Sequence, residues 1–299
     1  MKKLFVLTAC VLSLALISCS NDDDTNQTTA NLVLDLLGLE SLGSDYVYEG
    51  WIIVDGNPVS TGTFSSVNFP QSFNMDQEDL NSASTFVLTI EPSGETGSEA
   101  ATPSNTKIMA GDFSGSTASV TTGIVGDFSS IEGNFILATP TDNTNGMDNG
   151  NNENGIWWLD PTSGTPVAGL VLPVLPDGWK YEGWVVAGSI PLTTGTFTNV
   201  AATDDAAPFS GTEPLPMANG ADGFFPGEDF VANEPMDVMF PLDVRNMTAV
   251  ISIEPDPDNS PNPFLLKPLV STAGMETAPT LNMMDSNVTN SFPTGTASR

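Results

Sequence analysis

Apolar and polar side chains alternate in two short segments of the chain with the period of a β-strand. In residues 86–91 every second side chain is apolar, and residues 249–254 repeat this alternation. Pro92 and Pro255 follow directly, and proline ends a strand because it has no N–H to donate to the ladder. The pattern predicts two equivalent strands, each with one buried face.

A longer segment also occurs twice. Residues 48–64 recur as residues 181–197, with nine of seventeen positions identical. Residues 48–54 are mostly aromatic or β-branched, and the Asp-Gly-Asn-Pro sequence at 55–58 has turn chemistry, so a hairpin is predicted that folds back at Val59. From the end of this repeated segment to the end of the alternating segment is 27 positions in the first copy and 57 in the second. The second copy is therefore predicted to carry an insertion, at residues 201–235.

The chain contains 27 Gly and 23 Pro, and no helix of ordinary length is indicated in the folded body. Residues 32–42 fit a buried strand about as well as a short helix. The predicted fold is all-β, with two tandem β-sandwich-like repeats at residues 31–165 and 166–299. Residues 141–155 are expected to be a long loop of the first repeat.

The first residues are typical of a lipoprotein signal peptide. Lys2 and Lys3 precede an apolar run of 14 residues, too short for a membrane-spanning helix, and Leu-Ile-Ser-Cys resembles a lipobox ending at Cys19. We therefore expect residues 1–18 to be removed and Cys19 to be lipidated, with an ordinary secretory signal or uncleaved anchor as the alternative. The expected location is the outer membrane or cell surface of a Gram-negative envelope.

An acidic run follows the cysteine, within a predicted flexible tether at residues 19–30. Asp22, Asp23 and Asp24 resemble the export signal of some surface lipoproteins, and a solvated tether is an equally good interpretation. Without residues 1–18, five basic residues remain against 37 acidic ones, a net charge of −32. This charge excludes nucleic acid and anionic headgroups as partners, and it suits solubility or divalent cations.

Catalytic chemistry is poorly represented. The chain has no histidine, and its two cysteines belong to the signal and the lipid anchor, so triads, zinc sites and disulfides are excluded. Paired carboxylates remain possible for glycoside hydrolysis, with Glu91 and Glu254 or Glu49 and Glu182 as formal candidates. Because these glutamates recur at equivalent repeat positions, a shared structural role is favoured, and no enzyme activity is expected.

Residues 142–153 have the length of a calcium loop, with Asp142, Asp148 and Glu153 as candidate ligands. Gly146 and Met147 depart from the pattern, so a flexible polar loop is the favoured alternative. No other cofactor is expected.

The tryptophans divide into two groups. Trp51 and Trp184 lie in the predicted strands and are expected to be buried at equivalent positions. Trp157 and Trp158 are adjacent, and neighbouring strand residues point to opposite faces, so one indole is expected either to be exposed for a sugar or partner or to cover the domain junction.

The repeated Tyr-Glu-Gly-Trp, Pro-x-x-Thr-Gly-Thr-Phe and Ile-Glu-Pro segments resemble the extracytoplasmic C-terminal domain of the anti-sigma-K factor family. The resemblance covers about 60 residues of each copy and implies a β-sandwich in the cell envelope. Those regulators also have a cytoplasmic sigma-binding domain and a spanning helix, which we do not expect in this chain. The expected function is a non-catalytic binding or scaffold module with an envelope protein or glycan partner; the resemblance implies a sensor of an anti-sigma system as an alternative.

Overall fold

Regular structure in this protein is almost entirely β-strand, which confirms the predicted all-β class. The structure is a computed structural model that describes residues 28–142, 150–212, 225–258 and 260–299. The first half of the chain contains β1 (Thr29–Leu37), β2 (Tyr46–Val54), β3 (Asn57–Phe64), β4 (Gln71–Asp76), the short helix α1 (Gln77–Ser82), β5 (Thr85–Pro92), β6 (Lys107–Ser114), β7 (Thr117–Thr121), β8 (Glu132–Phe135), β9 (Gly155–Trp157) and β10 (Leu159–Asp160). The second half contains β11 (Val167–Ala168), β12 (Leu170–Val171), β13 (Trp179–Ala187), β14 (Ile190–Phe197), β15 (Gly227–Asp229), β16 (Thr248–Pro255), β17 (Leu269–Thr272), β18 (Asn282–Ser286), the helix α2 (Val288–Ser291) and β19 (Thr294–Ser298).

Local sequence explains several of these elements. Leu32, Leu34 and Leu36 are all buried, so the ambiguous leucine-rich segment is a strand with one apolar face. The predicted hairpin is β2–β3, and its turn places Asp55 at φ 50° and Gly56 at φ 80°, a conformation that glycine and aspartate tolerate best. The strands β5 and β16 end at Pro92 and Pro255, as predicted.

Two large antiparallel sheets contain most of the strands. The first has the order β3-β2-β5-β6-β7-β19-β1-β4 and the second the order β12-β8-β18-β17-β16-β13-β14. The second sheet therefore repeats the order of the first, with β13, β14, β16, β17 and β18 in the places of β2, β3, β5, β6 and β7. The internal repeat of the sequence thus corresponds to a repeat of strand arrangement.

The two halves exchange one strand. β19, from the end of the described chain, lies between β7 and β1 in the first sheet. β8, from the first half, lies between β18 and β12 in the second sheet. Each sheet thereby contains one strand from the other half of the chain. The division of the chain into two repeats near residue 165 stays a prediction.

Aromatic contacts recur in both halves of the core. Tyr48 stacks on Phe64 with ring centroids 5.6 Å apart, and Tyr181 stacks on Phe197 at 5.7 Å. Phe64 also packs against Phe73 of β4, so the first sheet curls until its two edge strands approach each other. Within the described ranges, the helices are all too short or too polar to cross a membrane.

Candidate functional site

Two glutamates of the first copy lie on one face of neighbouring strands. Glu49 of β2 is opposite Thr89 of β5, and Glu91 follows two residues later on the same face. The Trp51 indole donates to the Thr89 hydroxyl at 2.9 Å, and this hydroxyl donates to Glu91 Oε1 at 2.5 Å. The Ser60 hydroxyl donates to Glu49 Oε1.

The second copy repeats this network. Glu182 of β13 is opposite Ser252 of β16, and Glu254 follows on the same face. The Trp184 indole donates to the Ser252 hydroxyl at 2.7 Å, and this hydroxyl donates to Glu254 Oε1. The Thr193 hydroxyl donates to Glu182 Oε1. Both halves thus build the same tryptophan–hydroxyl–carboxylate chain.

The glutamates that meet belong to the same copy. Glu182 lies beside Glu254, and Glu49 beside Glu91, whereas the formal pairs considered from the sequence joined residues of different copies. The reason is the antiparallel pairing of the two repeated segments within one copy, which could have been inferred once both segments were read as neighbouring strands. Trp51 and Trp184 are both buried, so their predicted equivalence is confirmed.

A third carboxylate completes the second cluster. Asp258 lies four residues after Glu254, and one ligand oxygen from each of Glu182, Glu254 and Asp258 lies within 4.8 Å of the others. Among the described residues, these three carboxylates form the one group that is close enough to share a metal ion. Glu95 occupies the same sequence position after Glu91 in the first copy. Sequence reasoning missed both, although the recurring Glu-Pro-x-x-acid spacing was available as a signal.

Burial dominates the electrostatics of the second cluster. The pKa of Glu182 is raised to about 7, mainly by burial and also by the nearby charge of Asp258, although the Thr193 hydrogen bond acts to lower it. Burial also raises the pKa of Glu254 to about 8, against the hydrogen bonds from Ser252 and from the Phe264 backbone. Close carboxylates in a poorly solvated place need either a shared proton or a cation.

One oxygen of this cluster has no hydrogen-bond partner. Glu182 is 5% exposed, and its Oε1 accepts the Thr193 hydroxyl. Its Oε2 is buried without a partner, the one carboxylate oxygen in this condition among the described residues. Such an atom is costly to bury unless something else satisfies it.

A cavity of about 320 Å³ adjoins the cluster and is lined by Glu182, Glu254 and Asp258. Lys180 also lines it, but its ammonium is paired with Asp205 at 2.8 Å and with Asp256 at 3.8 Å. The cavity is thus lined by a cluster of carboxylates and by a lysine ammonium that is paired with aspartates outside this cluster.

The insertion of the second copy holds another buried acidic group, which is fully engaged. Asp229 accepts the Trp157 indole at 2.8 Å and the Thr141 backbone N–H at 2.6 Å. Glu228 accepts the Ser210 hydroxyl through Oε1 and the Phe209 backbone N–H through Oε2. Burial raises the pKa of Glu228 to about 8 and that of Asp229 to about 6. These residues tie β15 of the insertion to the rest of the chain.

The site residues predicted from the sequence are only partly described. Cys19, Asp22–Asp24 and Asp148 lie outside the described residues. The Asp142 carboxylate accepts a hydrogen bond from the Asn151 side-chain amide at 2.6 Å. The pKa of Arg245 is raised, first by its hydrogen bond with Asp243 and in smaller part by the charge of Glu153. The proposed metal role of this loop stays a prediction.

The expectation for the paired tryptophans needs a correction. Trp157 is 5% exposed and Trp158 is completely buried, so neither indole is available to stack on a sugar. Trp158 packs against Phe135 of β8 and donates to the Thr194 hydroxyl at 3.2 Å. Trp157 ends β9, which pairs along its edge with β15 of the insertion, and its indole donates to Asp229 of that strand.

Part of this chain matches a known protein family. Residues 24–107 match the family described as anti-sigma-K factor rskA, C-terminal. The matched range contains the first copy of the hairpin and β5, with Glu49 and Glu91, so the resemblance inferred from the motifs is shown for that part of the chain. Searches of curated proteins and of solved structures returned no match.

Proposed function

We propose that this chain is a lipid-anchored envelope protein whose folded body is a non-catalytic binding or scaffold module. The lipobox-like approach to Cys19 supports the anchor, and the anti-sigma-K-like domain at residues 24–107 supports an extracytoplasmic setting. The single observation behind the non-catalytic role is that the candidate carboxylates perform the same structural work in both copies.

Accessibility argues in the same direction. A carboxylate-dependent glycosidase needs an acid and a nucleophile that both reach the sugar. Glu254 is completely buried and Glu182 is 5% exposed, and the acidic residues Glu228 and Asp229 are also completely buried. These groups cannot flank a glycosidic bond without rearrangement of the strands that hold them.

The connection between β14 and β16, which contains the predicted insertion at residues 201–235, offers a surface for a protein partner. Met236 and Met239, directly after that insertion, are 87% and 86% exposed. In the same connection, Phe240 packs against the core residue Phe230 with ring centroids 6.0 Å apart. Exposed methionines on a firmly anchored segment are typical of protein-binding surfaces.

Site-specific photo-crosslinking in cells tests this surface. A photoreactive residue at Met236 or Met239 should give a discrete cross-linked envelope protein, whereas one at Val174, which is 90% exposed and apolar but outside the β14–β16 connection, should not. Equal products at all three positions, or none at the two methionines, would reject the β14–β16 connection as the binding surface.

Fatty-acid labelling tests the anchor. Cys19→Ala should abolish labelling and release the protein from the membrane fraction, and undiminished labelling would refute lipidation. Replacing Asp22–Asp24 with alanine should protect the protein from protease added to intact cells if the run directs export; unchanged cleavage would leave the tether interpretation.

A sensor of an anti-sigma system is the second candidate function, and the family match at residues 24–107 favours it. Deletion of the gene should then change transcription from promoters of an envelope-stress sigma factor, and the wild-type gene should restore it. An unchanged sigma-dependent transcriptome under envelope stress would exclude this role while leaving the binding module intact.

A further inference from the structure

We propose that Glu182, Glu254 and Asp258 form a calcium site that fastens the loop after β16 to the β13–β16 strand pair. The inference stands on the geometry of the second copy and does not depend on the proposed binding role.

The separations of the oxygens suit calcium. Calcium binds oxygen at about 2.3 to 2.6 Å, so two ligands on opposite sides of one ion lie roughly 4.6 to 5.2 Å apart and neighbouring ligands lie closer. The three carboxylate oxygens are all within 4.8 Å of one another. These separations are within the range that three ligands of one calcium ion span.

The buried oxygen of Glu182 points to a ligand independently of the acidic cluster. Thr193 satisfies Oε1, and Oε2 has no hydrogen-bond partner although the side chain is 95% buried, as its 5% exposure implies. In Glu254 the corresponding positions differ, because Phe264 N–H approaches Oε1 at 2.9 Å and Oε2 at 3.2 Å. A bound cation supplies the partner that Glu182 lacks.

The donor set selects the kind of ion. The cluster offers only carboxylate oxygens, and the whole chain contains no histidine, which leaves hard cations rather than zinc or copper. Magnesium requires nearly ideal octahedral geometry, whereas calcium accepts an irregular set completed by water. Asp258 is partly exposed and the adjoining cavity measures about 320 Å³, so water can complete the shell.

The site would act on the loop that follows β16. Asp258 lies in this loop, which continues to Phe264, where the ring packs against Trp179 at 5.9 Å. The same loop lines a cavity of about 280 Å³ together with Glu40 and Tyr46 of the first half. Calcium would therefore order the segment at which the two halves face each other.

The first copy supplies a matched control. Glu49, Glu91 and Glu95 occupy the equivalent sequence positions, but the described residues contain one three-carboxylate group of metal-binding dimensions, and it is the one in the second copy. In both copies the substitutions replace a carboxylate by its amide, and they differ in whether they remove a proposed ligand.

The test uses the mature full-length protein, purified in detergent and stripped with chelator. Isothermal titration with CaCl₂ should show saturable binding, and terbium should give luminescence on tryptophan excitation, because Trp184 is joined to Glu254 through Ser252. Glu182→Gln and Asp258→Asn should each lower the affinity by at least about tenfold. Glu49→Gln and Glu95→Gln should bind as the wild type does.

Asp258→Asn guards against a folding artefact, since its side chain is partly exposed and the change keeps its size. Circular dichroism of this variant in chelator should match that of the wild type. Added calcium should raise the melting temperature of the wild type but not that of Asp258→Asn. Three results would overturn the proposal: no saturable calcium binding, equal loss in the first-copy variants, or magnesium binding as tight as calcium binding.

Discussion

The exchanged strand β19 can be tested with one methyl group at Gly295. This residue pairs with Leu36 of β1 and with Val120 of β7. A Cβ at position 295 would overlap the Asp35 carbonyl oxygen and lie 2.8 Å from Leu36 Cα. Both are backbone atoms of β1, so no side-chain rotation relieves the overlap, and Gly295→Ala must push β19 away from β1.

The expected cost follows from that geometry. Added methylenes in a packed core cost about 1 to 3 kcal/mol, and a backbone overlap belongs at the upper end. The β1–β19 ladder joins residues 33–37 to 294–298, and each hydrogen bond that it loses costs about 0.5 to 1.5 kcal/mol more. With one ladder hydrogen bond lost, we expect the free energy of unfolding to fall by about 4 kcal/mol.

Hydrogen exchange with mass spectrometry shows where the damage occurs. Gly295→Ala should remove protection from residues 29–37 and 117–121, which are distant in sequence but lie on either side of β19 in the first sheet. Gly133→Ala is the matched change in β8; its Cβ would lie 2.7 Å from Leu269 Cδ1 and 3.0 Å from Met284, so it should weaken the second sheet, and by less because side chains can move. Gly123→Ala, with its nearest neighbour at 3.5 Å, should have little effect.

The place where hydrogen-exchange protection is lost shows which sheet contains β19. If Gly295→Ala deprotects residues 269–286 and leaves residues 29–37 unchanged, β19 pairs within its own half and the exchange described here is wrong.

Two further predictions concern buried groups. Trp51→Ala and Trp184→Ala should each lower the free energy of unfolding by about 3 to 5 kcal/mol in urea denaturation, because the two indoles are equally buried; a large cost at one and almost none at the other would contradict their equivalence. The pKa of Glu228 is raised to about 8 by burial, with the charges of Asp204 and Asp229 adding to it, so the native state holds a proton that the unfolded chain releases near its ordinary pKa. The melting temperature in chelator should therefore fall as the pH rises from 5 to 9, and Glu228→Gln should flatten this slope; an equal slope in the variant would rule out Glu228 as its source.

The sequence predicted several residues of the candidate site but not how they come together. The sequence marked Glu182 and Glu254 as equivalent to Glu49 and Glu91, and the repeat assigned them structural work. It did not reveal that an indole-bonded hydroxyl holds Glu91 and Glu254, nor that Asp258 joins the second group. These contacts depend on the register between strands that are far apart in the sequence, with Trp184 and Ser252 separated by 68 residues.

Local sequence alone determined the β-class, the β2–β3 hairpin, the strand ends at Pro92 and Pro255, and the burial of the repeated tryptophans. Each of these follows from side-chain alternation, turn chemistry or a missing N–H, which act within a few residues. Only the tertiary structure decided which sheet receives β8 and β19 and that both Trp157 and Trp158 are buried. The four residues of β8 carry no local signal for their partner, because backbone ladder hydrogen bonds are the same in either sheet, and the choice is made by the packing of side chains far away in the chain.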